Sequence, residues 1–275
     1  MARLICIFIS LVLLSLSGIP AHSFAGKQKL EIFEVVPQEE AWTDSDYDNA
    51  EIALQAALLA TNGDFNKQLP VLAGLADLYH ERKKYKEEVT ALLDLIKVMG
   101  CIDDYPAIPL AAQHLRLSTV YYELEDFRSA AKSAQTAVEI FRGSCGPDSP
   151  NLALAYNNLG WIEQKLGSLD AALEHFEKSL AIVNKNLGKK SLLYGLISEN
   201  LAVLYTQKGE HEAAYFWYRS ALKTLGDYLD KDDPLVSDLL NRCNQSRSLA
   251  RSSSKRDLVL MKSKKKLAGE SKPQK

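Results

Sequence analysis

The sequence repeats itself every 42 residues, and that period constrains the fold more than any other feature of the chain. Sliding the 275 residues against themselves by 42 aligns Leu75, Leu117, Leu159 and Leu201. The next position is always small: Ala76, Ser118, Gly160, Ala202. Further columns read Tyr79, Tyr121, Glu163, Tyr205; Tyr85, Phe127, Leu169, His211; and Glu88, Ala130, Ala172, Ala214. Then come Leu92, Ala134, Phe176, Tyr218 and Leu95, Ala137, Ser179, Ala221. Four copies in step, without insertion, predict stacked units that each need a neighbour to cover an apolar face.

Inside a copy the apolar spacing is helical. Leu152, Ala155, Leu159 and Ile162 share one helix face, as do Ala172, Leu173, Phe176 and Leu180. Gly167 and Gly209 fall between these runs, where a left-handed residue can end the first helix. Each copy is therefore expected to be two antiparallel helices. The small columns mark close helix crossings, and the aromatic columns fill the gaps between pairs. Glu88 stands in a column otherwise alanine, and Glu163 in one otherwise tyrosine; both read as local distortions rather than sites.

Tyr156-Asn157-Asn158-Leu159-Gly160, with Gly167, Ala172, Phe176 and Ser179, resembles a tetratricopeptide repeat. The 42-residue period, Leu187-Gly188 near the end of the second helix and Asp148-Ser149-Pro150 before the next first helix make it similar to the kinesin-light-chain type. Pro234 lies two periods after Pro150 and opens a fifth copy. The resemblance covers about residues 69–250 and implies an all-α, right-handed α-solenoid of tetratricopeptide-like helix pairs. It departs at Gly74 and Arg116, where that type tends to have Asn, and at Lys190-Ser191-Leu192, which lacks the Pro.

The chain divides into four stretches. Residues 1–25 read as a secretory signal peptide: Arg3, an uncharged apolar run from Leu4 to Ile19, then Ser23-Phe24-Ala25 before a cut. The run is short of the roughly 20 residues a membrane span needs. Residues 26–44 are a linker, with a short extended piece at Leu30–Val36. Residues 45–250 form the solenoid: a leading helix from Ser45 to Leu59 with Asn62-Gly63 as its stop, four full copies, and a closing helix from Pro234 to about Ala250. Residues 251–275 are a basic tail expected to be disordered; from residue 246 on, ten Lys and Arg face two acids, a net +8 on a chain of net −2. The mature chain is then exported, to a periplasm or outside, with no transmembrane span. Cys101, Cys145 and Cys243 remain, and a Cys101–Cys145 bond is left open.

No catalytic motif, phosphate loop or metal spacing is present, so no enzyme and no cofactor are expected. His80-Glu81 reads as a solvated pair, since neighbours on a helix point apart. The resemblance implies that first helices line a concave groove. Leu115, Tyr122, Trp161 and Val203 then form an apolar floor, with Asn157, Asn158, Glu199 and Asn200 beside it for an extended peptide. Asn158 and Asn200 match the asparagines that hold peptides in such repeats, though they can equally serve helix packing, as can Trp161. The expected function is an exported scaffold whose groove holds a protein or peptide partner; the alternative is a structural subunit that self-associates through its groove or end helix. The tail is read as a solvated end, a contact for an anionic surface, or a strap across the acidic body. Nucleic acid is not expected, because export removes the chain from it and the tail has no aromatics for stacking.

Overall fold

The computed structural model describes residues 43–230 and 232–270, with side chains as far as Ser252. Among these residues there are ten α-helices and no strand. They are α1 (Asp44–Ala60), α2 (Phe65–Glu81), α3 (Tyr85–Gly100), α4 (Ala107–Glu123), α5 (Phe127–Cys145), α6 (Pro150–Lys165), α7 (Leu169–Asn186), α8 (Leu192–Gln207), α9 (His211–Leu225) and α10 (Pro234–Glu270). Two compact units divide the chain after Ser168, α1–α6 and α7–α10. In the first unit each helix packs on the next, and α4 also meets α6. In the second, α8 packs between α7 and α9, and α10 lies on α9. The signal segment and all but the last two linker residues lie outside the described residues.

The period is visible in the backbone. Lys83, Glu125, Gly167 and Gly209 stand 42 apart, and all four are left-handed, with φ of 54°, 59°, 82° and 74°. After each, the next N–H donates to the carbonyl five residues back: Lys84 to Tyr79, Asp126 to Tyr121, Ser168 to Glu163 and Glu210 to Tyr205, at 2.8–2.9 Å. This bond consumes a carbonyl the ending helix would otherwise leave open. The turns between copies repeat as well, with Asn62, Asp104, Gly146 and Gly188 at φ of 49°, 56°, 80° and 76°. Lys83 and Glu125 take this conformation at a cost of about 1 kcal/mol that glycine avoids.

The aligned columns are the core. Leu75, Leu117, Leu159 and Leu201 are buried, and so is every member of the small column beside them. The Ala130, Leu92 and Leu95 columns are buried in every copy. Close approach is concrete at Gly195 of α8: a Cβ there would stand 2.7 Å from Leu225 Cδ2 and 3.2 Å from Thr224 Cγ2 of α9. Only hydrogen fits between these two helices of one copy.

Three expectations change. The closing helix does not end near Ala250; its backbone stays helical to Glu270, where disorder was expected from Arg251 on. Leu239, Cys243, Ser246 and Ala250 are buried on the packed half of α10, and no Pro or Gly interrupts the chain between Pro234 and Gly269. Extending an anchored helix fixes one residue per added hydrogen bond, so no new nucleus is needed. Cys101, Cys145 and Cys243 are all free thiols, so the bond left open between the first two is not formed. Finally, Glu88 is no distortion; it is built into a charged cluster.

Candidate functional site

That cluster lies in the first unit and ties three helices together. Glu88, on α3, has no exposed surface. Its Oε1 accepts from Arg116 Nε at 2.9 Å and lies 2.8 Å from Arg116 Nη2. Its Oε2 lies 2.9 Å from His80 Nδ1. Arg116, on α4, also pairs with Asp77 of α2. The partner of His80 is therefore Glu88, eight residues on, and Glu81 instead accepts from Tyr47 Oη at 3.2 Å. Arg116 stands in the column of Asn158 and Asn200. In this copy that position is committed to an internal ion pair, which its length allows and an Asn would not reach.

The sequence carried a signal for this cluster. Two neighbouring copies each break a column, one with a buried-column Glu and one with an Arg, and the two charges are opposite. A lone buried carboxylate would cost several kcal/mol, so the pair has to occur together.

Farther along the same unit two expected floor residues meet. The rings of Tyr122 on α4 and Trp161 on α6 stack with centroids 4.9 Å apart at 25°. Phe127 meets Tyr122 edge-on at 5.4 Å, and Lys165 Nζ lies 5.9 Å from the Tyr122 ring centre. Both stacked residues are only half-buried. Burial pushes the Tyr122 phenol up to about 12, with Glu123 adding to the effect, so it stays protonated and able to donate a hydrogen bond. Asn158 sits half-buried nearby in sequence, one turn before Trp161 on α6.

Other assigned residues lie deeper than a floor. Leu115 and Asn157 are each 3% exposed. Leu115 belongs to the core rather than an open surface, because α4 is packed by α3, α5 and α6 and its position two before the leucine column faces that seam. In the second unit Glu199 occupies the same column on α8 and is 7% exposed. Burial pushes its carboxyl up to about 7; Arg242 of α10 pulls it back and Asp238 pushes with burial. Those two residues pair with each other at 2.8 Å. Asn200 and Val203 follow on α8, both half-buried. Among the described residues no group of three His, Cys, Asp or Glu is placed to hold a metal. No described helix is long and apolar enough to cross a membrane.

Helix pairs with a 42-residue period, paired left-handed turns and a small-residue seam define a tetratricopeptide solenoid. The tetratricopeptide repeat family matches residues 110–185 and 162–226, from α4 to the end of α9. The chain is 22% identical over 188 residues to Protein KINESIN LIGHT CHAIN-RELATED 3 of Arabidopsis thaliana, covering 66% of this chain and 28% of that one. It therefore spans about a quarter of that relative's length. In structure it resembles BtubC (BKLC) from P. vanneervenii, with TM-score 0.64, 17% identity, and 83% and 92% of the two chains covered. It also resembles the apo form of RapI, with TM-score 0.62, 16% identity, and coverage of 83% and 61%. Residues 110–226 thus match the tetratricopeptide repeat family, and the repeats resemble those of kinesin light chains. Such repeats generally mediate protein–protein interaction and are generally not enzymes.

Proposed function

We propose that the chain is an exported protein-binding scaffold whose first-helix face holds a peptide or protein partner. One observation carries the reading: the Tyr122–Trp161 stack is built from two helices yet left half-open. Large amphipathic rings already fixed in place give contact area at little entropic cost, which is why they anchor interfaces. Asn158, partly exposed on α6 one turn before Trp161, supplies an amide donor and acceptor in the same unit. Export rests on the apolar run at Leu4–Ile19 and the small residues before Gly26. The basic end of the chain adds an attraction for anionic surfaces.

A photo-crosslinking residue at position 161, in the native host, should give one discrete adduct with another protein. The same residue at Lys132, exposed on the second helix α5, should give none. Adducts from 132 and none from 161 would move the interface off the first-helix face. An adduct of the chain with itself would favour the self-associating subunit. The secreted protein should begin at Gly26 by mass; an intact Met1 would refute export by cleavage.

A further inference from the structure

The second unit carries an aromatic and basic face on α9. The core side of that helix is Ala214, Tyr218, Ala221, Thr224 and Leu225, all buried. Tyr215, Phe216, Arg219 and Lys223 share the side turned away from it, at helical spacing. Phe216 is 63% exposed, and the ring of Trp217 meets it edge-on at 5.1 Å. Arg219 and Lys223 are exposed as well. Three consecutive aromatics rimmed by cations have the composition of a contact surface rather than of a solvated helix face.

The seam with α10 concentrates the charge. Arg219 Cζ lies 5.6 Å from the centre of the Tyr215 ring, and Arg247 Cζ, reaching over from α10, lies 5.9 Å from it. A ring contact holds a guanidinium in place without neutralising it. Both cations also bear on the Cys243 thiol, which burial pushes up and they pull down. Arg251 follows one turn after Arg247 and is exposed. Against Arg219, Lys223, Arg247 and Arg251 stands Glu212, one turn before Phe216. The backbone of α10 runs on as helix to Glu270, and its sequence from Lys255 to Lys266 adds six bases and one acid. From Arg247 to Glu270 that helix is roughly 35 Å long.

We propose that the outer face of α9, with Arg247 and Arg251 of α10, docks on an anionic phospholipid surface. The apolar area here is a protruding ring rather than a recess, so it enters a fluid layer more readily than it receives a side chain. Phe216 and Trp217 then sit at the headgroup level, and the cations around them take lipid phosphates. A basic helix of this length engages an extended surface along its whole run, which a compact anion would not fill. The proposal rests on the anionic-surface attraction stated above and gives it a face on the folded unit; it is separate from the Tyr122–Trp161 site.

The test is flotation of the full chain with vesicles of phosphatidylcholine and phosphatidylglycerol in equal parts, and with phosphatidylcholine alone. The chain should float with the mixed vesicles only. Arg219→Gln with Arg247→Gln should weaken partitioning by about tenfold or more. Phe216→Ser, which removes no charge, should weaken it by about threefold or more. Leu93→Ser, an exposed apolar residue of the first unit, should change nothing. All these side chains are exposed, and circular dichroism checks the fold; if the arginine pair lowers the melting point, Phe216→Ser decides. Binding lost with Lys264→Gln, Lys265→Gln and Lys266→Gln together, but untouched by the α9 and Arg247 substitutions, would overturn this face while leaving the charge attraction standing. No binding by the unaltered chain would overturn both. A photo-crosslinking residue at position 216 that captures a protein in the native host, and no lipid, would also overturn the proposal.

Discussion

Replacing Arg116 by Asn should damage the first unit more than its partly exposed position suggests. The guanidinium gives Glu88 its Nε at 2.9 Å and Nη2 at 2.8 Å, and the carboxylate has no exposed surface through which water could replace them. With Arg116 gone, His80 is the partner left to it among the described residues. Breaking such a buried pair from one side costs about 3–5 kcal/mol, because the remaining charge is stranded. Glu88→Ala alone removes the buried charge and leaves Arg116 its pairing with Asp77; about 1–3 kcal/mol is expected, the scale of lost contacts and a small cavity. The double substitution Glu88→Ala, Arg116→Asn writes in the residues that the third and fourth copies carry at these positions, Ala172 and Ala214, Asn158 and Asn200. It should cost less than about 1.5 kcal/mol, so the two sites should couple by about 2.5 kcal/mol or more. Repeat proteins open locally, so the assay pairs urea unfolding by circular dichroism with amide exchange across α2–α4. A cost below about 1 kcal/mol for Arg116→Asn alone, or additive effects in the double variant, would refute the reasoning.

Two more predictions rest on other parts of the fold. Lys83→Gly and Glu125→Gly each place glycine where the third and fourth copies already have it, at left-handed backbone; each should stabilise by about 0.5–1 kcal/mol in urea unfolding, and a loss would show that the strain is not there. Glu199→Gln should stabilise the protein at pH 8 by about 2–4 kcal/mol, because burial raises the folded carboxyl from 4.5 to about 7. The sign follows from proton binding: the folded state holds this proton more tightly, so the Glu form is penalised fully above pH 7 and not at all below the unfolded value. The gain should therefore fade between pH 7 and 4.5, and a pH-independent difference would exclude the burial account.

The period alone determined the helix pairs, their order and the buried columns, because each copy must bury the same face against a similar neighbour. It also placed the turns: Gly167 and Gly209 were legible as left-handed helix ends from residue type. At Lys83 and Glu125 residue type is silent, and the stacking of the copies imposes the same φ on side chains that resist it. Burial at the candidate site was less legible. Leu115 and Tyr122 lie on one side of α4 by spacing, yet only packing against α6 decides that Leu115 is enclosed while Tyr122 stays half-open against Trp161. The ion cluster shows the same limit. Glu88 and Arg116 read separately as two broken columns, 28 residues apart, and only the packing of α3 against α4 brings their charges together. Spacing reports which face of a helix a residue is on; how near the next helix comes, and so how dry that face is, depends on side chains contributed from elsewhere in the chain.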